Sequence, residues 1–309
     1  ILADGVAVTP KNGISWSKSG NVWTYSVTEL PRFRDGTFTP VVYTVQETHV
    51  PAYAPETDAT ATGIVNNLTG AVSDLSFTNT LTTVSVSGKK TWVDTDNRYK
   101  TRPANITLTL LADGDPLLPQ PTPVWNKAVD ASTWSYTYTL LPRYRADNVT
   151  PIEYSVVEQP SVSYSPATAV TVSGTVDANG NVTGANFTNT LVSISIDGSK
   201  TWSDQENRYG FRPDSIQLTV YADGVALPAQ PDIVWNQSSE VWTYSITGLP
   251  RCKAGTTDDI AYSVAETAAN GYEPDSAAAV SGQCDPVTRN LTTVDFSKSL
   301  YTVSLSGSK

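Results

Sequence analysis

The sequence predicts an all-β chain of tandem sandwiches, and three observations carry that prediction. The first is an internal repeat. Leu2-Ala3-Asp4-Gly5 returns as Leu111-Ala112-Asp113-Gly114 and as Tyr221-Ala222-Asp223-Gly224. The aspartates at 4, 113 and 223 set a period of 109 to 110 residues, the length of one small sandwich rather than of a solenoid turn. The second is composition. Only 16% of residues are charged, Thr, Ser and Val abound, and the aromatics are mostly Tyr and Trp. The third is periodicity: apolar residues alternate by twos in short runs, and long helical spacing is absent.

Each repeat gives the same elements in the same order. An opening strand alternates as Ile194, Ile196, Gly198 and Lys200 on one face, and ends in Thr201-Trp202; Val84, Val86, Gly88 and Lys90 do the same before Thr91-Trp92. A polar loop follows, Asp94 to Arg102 and Asp204 to Arg212, closed by Arg-Pro. A strand then runs into the Ala-Asp-Gly turn, and a Pro-rich connection leads to a Trp-containing strand. Trp23-Thr24-Tyr25-Ser26, Trp134-Ser135-Tyr136-Thr137 and Trp242-Thr243-Tyr244-Ser245 lead to Leu30-Pro31-Arg32, Leu141-Pro142-Arg143 and Leu249-Pro250-Arg251. A Tyr-x-Val-x-Glu strand, a Gly/Asn/Asp-rich hairpin and a last strand reading Phe-Thr-Asn-Thr-Leu complete the unit. Six or seven short strands with turns between them make a sandwich.

These phases divide the chain. Residues 1–82 are a truncated repeat lacking its first strands, 83–192 and 193–300 are complete repeats, and 301–309 are the first strand of a following one. With no methionine, the chain is expected to be an internal piece of a larger protein. Joints as short as Thr80-Leu81-Thr82-Thr83 favour an elongated rod. No signal-peptide pattern and no membrane-spanning apolar run is found. A net charge of -10 argues against nucleic acid. Two cysteines are too few for a disulfide scaffold and lack metal-ligand spacing, and no motif asks for a cofactor.

Counting by twos puts polar residues where apolar ones belong. Lys90, Lys200 and Lys309 close otherwise apolar faces. Glu47, Glu158 and Glu266 share a face with Tyr and Val, and Asn79 and Asn189 share one with Phe and Leu. A lysine desolvated among apolar side chains has its pKa lowered, which makes the nucleophilic amine accessible. A buried glutamate is pushed the other way and can relay protons. The asparagine carboxamide is the electrophile. Attack by the amine and loss of ammonia would leave an intramolecular isopeptide bond, made once and without a cofactor.

Together, Lys-Thr-Trp, Arg-Pro-x-x-Ile, Ala-Asp-Gly, Trp-x-Tyr, Leu-Pro-Arg-Tyr, Tyr-x-Val-x-Glu and Thr-Asn-Thr resemble the collagen-adhesin B-type (CnaB) repeat of Gram-positive surface adhesins and pilins. The resemblance covers essentially the whole chain. It implies an inverse immunoglobulin-like sandwich whose first and last strands are neighbours, and a Lys90–Asn189 bond assisted by Glu158. The third repeat departs from the pattern, with Lys298 where asparagine should be. Lys200 is therefore expected to lack an isopeptide partner and to sit in an unbonded buried cluster with Glu266 and Lys298. The same repeat holds both cysteines, and a Cys252–Cys284 disulfide is expected to staple it. In the first repeat, Glu47 and Asn79 lack a lysine; Lys309 of a neighbouring copy could fill the gap and link copies head to tail.

The remaining signals favour plain readings. The Asp94-Asp96-Asn97 and Asp204-Glu206-Asn207 loops lack full calcium-ligand spacing and read as solvated turns. The eight tryptophans recur by repeat position and read as packing. His49 stands alone, with no nucleophile in triad order. The chain is thus expected to be no turnover enzyme but a structural stalk of a secreted or cell-wall-attached bacterial adhesin or fibre. Its partners would be neighbouring repeats, with a host matrix ligand reached through the parent protein. The rival readings are a ligand-binding adhesin module contacting host matrix or glycans, and a carbohydrate-binding accessory of a secreted enzyme.

Overall fold

A computed structural model describes all residues except 129–130, 239 and 275–278. The described residues form short β-strands, joined by turns and a single 3-10 turn at Thr95–Asn97. Contacts divide the chain into two bodies, one of Ile1–Ser85 with Thr139–Ile152, the other of Val86–Tyr138 with Glu153–Lys309.

The second repeat shows how the sandwich is made. One sheet runs in the order Asp115–Pro116, Leu108–Ala112, Tyr154–Glu158, Val170–Val172. The other has Thr83–Val93 at its centre, between Thr133–Pro142 on one side and Val182–Thr183 with Phe187–Leu191 on the other. Thr83–Val93 and Phe187–Leu191 run parallel, with Lys90 opposite Phe187 and Trp92 opposite Asn189. First and last strands are therefore neighbours. The third repeat copies the register: Ser193–Ser203 pairs with Phe296–Leu300, Lys200 opposite Phe296 and Trp202 opposite Lys298.

Burial along Thr83–Val93 alternates strictly, so Val84, Val86, Lys90 and Trp92 all face inward. Gly88 shares that face for a steric reason: a Cβ there would stand 1.9 Å from the Ala185 carbonyl oxygen. Gly198 stands in the same relation to Val294, at 2.0 Å. The last strand can approach the first only because these positions carry no side chain. Beside them, Tyr136 donates its hydroxyl to Ala185 O (2.5 Å) and Tyr244 to Val294 O (2.6 Å), which satisfies carbonyls buried by that approach.

The first repeat is thinner. Its strands include a sheet in the order Val6–Ala7, Leu2–Ala3, Tyr43–Glu47, Ala59–Thr62 and a hairpin of Ser15–Ser19 with Val22–Ser26. The hairpin has no lysine strand against it; Trp23 is 59% exposed where its counterparts Trp134 and Trp242 are buried, and Trp16 is 57% exposed where its counterparts Trp125 and Trp235 are half-buried. Packing thus accounts for the tryptophans of the complete repeats and not for these two. Residues 301–309 lie outside the described ladders; the Tyr301 N–H donates to Gly271 O at 3.0 Å, and Val303 and Leu305 are exposed.

Candidate cross-linking site

The three strands of the second repeat bring three polar groups to one point in its interior. Lys90 extends from the first strand until its Nζ lies 2.7 Å from Glu158 Oε1 and 3.0 Å from Oε2. From the last strand, Asn189 donates Nδ2 to the same Oε1 at 2.9 Å, with Ser161 Oγ at 3.4 Å. Amine and carboxamide therefore share one carboxylate oxygen. All three side chains are shut from solvent, Lys90 completely. Burial lowers the Lys90 pKa, with the Glu158 carboxylate opposing that shift. The Trp92 ring, 4.7 Å from Nζ, forms one wall. A cavity of about 110 Å³ opens beside Glu158, Asn189 and Pro166. The arrangement sets an amine and a carboxamide against one carboxylate, with all three side chains buried.

The third repeat repeats the placement with one change. Lys200 Nζ lies 3.1 and 3.2 Å from the two Glu266 oxygens, but only Oε2 receives an aligned hydrogen bond, and Oε1 has none. Lys298 takes the asparagine position and is equally buried, its ammonium turned to the Pro274 carbonyl. Burial, with Lys298 adding to it, pushes Lys200 down to about 8, while burial raises the Glu266 pKa. In the first repeat, Asn79 Nδ2 reaches Glu47 Oε1 at 3.0 Å in a more open setting. Lys309 is exposed.

In the structure the Cys252 and Cys284 sulfurs are not joined. Each thiol points into its own turn, Cys252 towards Thr257 O and Asp259, Cys284 towards the carbonyls of Asp285 and Arg289. The acidic loops are also not simply solvated. Asp94 and Asp204 are buried and gripped by an arginine eight residues on. Arg102 reaches Asp94 through Nε and Nη2, both at 2.6 Å, and Arg212 Nε reaches Asp204 at 3.0 Å. Tyr164 and Tyr272 donate to the same carboxylates at 3.0 and 2.8 Å. The Asp…Arg-Pro spacing, present in both complete repeats, is the sequence signal for this clamp. His49 sits against Pro55 O, 3.0 Å from its Nδ1. Among the described residues, no three metal-ligating side chains converge.

The fold and the buried Lys–Glu–Asn cluster define a tandem β-sandwich repeat whose first and last strands are parallel neighbours. Comparison with known proteins names the family. The Cna protein B-type domain matches residues 1–67, 86–190 and 196–285, and the chain belongs to that family. A collagen adhesin of Staphylococcus aureus is 32% identical over 259 residues, which is 82% of this chain and 18% of that protein. The chain thus spans under a fifth of its relative's length. Among solved structures, a single B repeat unit of the S. aureus collagen-binding surface protein is 26% identical, covering 71% of this chain and all of that one, with a TM-score of 0.24. A two-repeat unit of the same protein is 21% identical over 93% of this chain and 68% of that one, with a TM-score of 0.26.

Proposed function

We propose that the second repeat cross-links itself through Lys90 and Asn189, and that the chain serves as stalk repeats of an extracellular, cell-surface adhesin. The observation that carries this reading is the shared Glu158 oxygen, with amine and carboxamide 2.7 and 2.9 Å from it inside a closed core. In the reaction, Glu158 and Lys90 exchange a proton so that the amine is neutral and the acid protonated. Lys90 Nζ attacks Asn189 Cγ, and the acid polarises the carbonyl. Glu158 then delivers a proton to Nδ2, the Cγ–Nδ2 bond breaks, and ammonia leaves. The proton lost from Nζ returns to Glu158. Lysine amine and asparagine amide become a secondary amide plus ammonia, with no oxidant or cofactor.

Such a bond closes a loop of about a hundred residues, which by analogy with a disulfide stabilises the repeat by roughly 4 to 5 kcal/mol through the unfolded state. Its position matters more than its energy. Pull on the repeat would run from first strand to last through the new amide, and the rest of the sandwich would carry none. That suits a part that separates a binding tip from a wall, and it needs no turnover. The relative's name gives collagen as its ligand; in this reading a host-matrix ligand of this protein would be reached through the parent protein. Intact-mass measurement tests the chemistry. The chain is expected about 17 Da below its sequence mass, and Lys90→Ala and Glu158→Ala, corrected for the substitution, should keep the ammonia. A wild-type mass with no deficit would overturn the bond.

A further inference from the structure

The cavity beside the cross-linking trio is explained by the repeat that lacks the trio. Asn189 and Lys298 hold one position in two copies of the same ladder, Asn189 opposite Trp92 and Lys298 opposite Trp202. The short flanking strand agrees, with Tyr164 opposite Leu191 and Tyr272 opposite Leu300. One residue past that strand come Pro166 and Pro274. Lys298 is longer than an asparagine, is wholly buried, and donates its ammonium to the Pro274 carbonyl. In the second repeat the shorter Asn189 stops before that place. A cavity of about 110 Å³ lies there, against Glu158, Asn189, Pro166 and Val170, with an exposed rim at Gln159 and Thr168.

The third repeat thus shows what this space takes: a charged nitrogen that donates hydrogen bonds. The second repeat offers the same proline and, beside it, a carboxylate. The cavity also borders Asn189, whose Nδ2 is the nitrogen that the proposed reaction expels. Two acceptors already hold Nδ2, Glu158 Oε1 at 2.9 Å and Ser161 Oγ at 3.4 Å. Ser161 belongs to this repeat alone; Val50 and Ala269 stand in its place in the other two.

The charges agree. Glu266 has two buried cations near it, Lys200 and Lys298, and both oppose the rise in its pKa that burial causes. Glu158 is paired with the Lys90 ammonium, which amide formation turns into a neutral group. A buried carboxylate is costly once its counter-charge is gone. An ammonium ion in the cavity would restore a cation in the place from which Lys298 acts on Glu266.

We propose that this cavity is an ammonium site, which receives the ammonia released from Asn189 and holds the resulting cation between the Pro166 carbonyl and Glu158. The site rests on the Lys90–Asn189 reading. When the Cγ–Nδ2 bond breaks, ammonia leaves with the proton delivered by Glu158. One further proton from water makes it ammonium, with hydroxide left to the buffer, and nothing is oxidised or reduced.

Amide NMR of the full chain in ammonium chloride tests the site. Tetramethylammonium chloride is the control, equal in charge but without a hydrogen to donate. A ligand of one heavy atom binds weakly, so half-saturation is expected on the order of 0.1 M. Ammonium should move the Gln159 and Thr188 amides along a saturating curve. Their third-repeat counterparts, Thr267 and Ser297, should not follow, because Lys298 already fills that place. Val170→Phe, which fills the cavity from the strand opposite Glu158, should abolish the response. It should also slow ammonia loss after cell-free synthesis about tenfold, read by intact mass, because the leaving group has no way out. Thr168→Trp closes the exposed rim instead, and takes the place of Val170→Phe if circular dichroism shows that variant misfolded. The mass of the NMR sample keeps the two readings apart. A mass with no deficit would overturn the bond and the site together. A mass deficit with no saturating shift, or with equal shifts in tetramethylammonium or in the filled variant, would overturn the site alone.

Discussion

At position 298 a lysine amine reaches the Pro274 carbonyl, while at the matching position 189 a carboxamide reaches the glutamate. The strand register is the same in both repeats, and so is the lysine–glutamate approach from the first strand. In the proposed reading, if the acceptor alone separates them, Lys298→Asn should install a bond in the third repeat as well, and the mass deficit should double from about 17 to about 34 Da. Lys298→Ala, which removes the buried amine without supplying an acyl group, should leave the deficit unchanged. Retention of a single deficit in the asparagine variant would show that more than the acceptor has diverged. The natural third repeat instead keeps titratable groups in its core. Lys200 titrates near 8 when folded, against 10.5 when unfolded, so between those values the unfolded chain holds the extra proton. This repeat should therefore gain stability as pH rises from about 8 to 10.5, and the gain should be absent below 8. Glu266, raised by burial, acts in the opposite sense: its contribution is full below 4.5 and is lost as pH climbs through its folded value. Thermal melts across both windows, repeated on Lys200→Met, would separate the lysine's share. These inward residues were readable from the sequence because a strand's period of two places them without knowledge of the fold. The turn of Lys298 to a particular carbonyl was not, since it depends on what the neighbouring strands leave open.

Among the elements, the Asp94–Arg102 loop is the part whose role the sequence concealed. Its acidic residues look like ordinary turn formers, and only the folded chain buries Asp94 with an arginine on both oxygens. Spacing could have suggested the pair, but spacing says nothing of burial. Because the Arg102 side chain is itself almost wholly buried, Asp94→Ala would strand a guanidinium without its counter-charge, at a cost of roughly 3 to 5 kcal/mol. The expected outcome is a lower melting temperature and loss of the Arg98–Asp232 contact, read as loosening between the second and third repeats. An unchanged melt would mean that solvent reaches Arg102 freely. The glycine of the opening strand makes the complementary case. Gly88 breaks the apolar pattern on paper, and its reason appears only when the Ala185 carbonyl is found 1.9 Å from the missing Cβ. Gly88→Ala should destabilise by about 3 kcal/mol through overpacking and, in the proposed reading, slow the Lys90–Asn189 reaction, since it pushes the asparagine strand away from Lys90.

For the molecule as a whole, the repeats are unequal in what holds them. Repetition made their number and order legible, because motifs spaced 109 to 110 residues apart leave little choice of fold. Their inequality rests on single positions. In the proposed reading the second repeat is closed by an amide, while the third is held by hydrogen bonds, packing and a buried Lys–Glu pair. Load on the chain would then be released by the third repeat and not by the second. Full extension gives about 3.3 to 3.6 Å per residue, so unfolding a repeat of this length should release on the order of 300 Å. Force spectroscopy of the full chain should show that release from the third repeat, and Lys298→Asn should suppress it by closing the same loop. Limited proteolysis should rank the repeats alike, with cuts falling in the third before the second. A second repeat that yields first, in a chain shown by mass to carry the amide, would mean that the bond lies outside the path of the load.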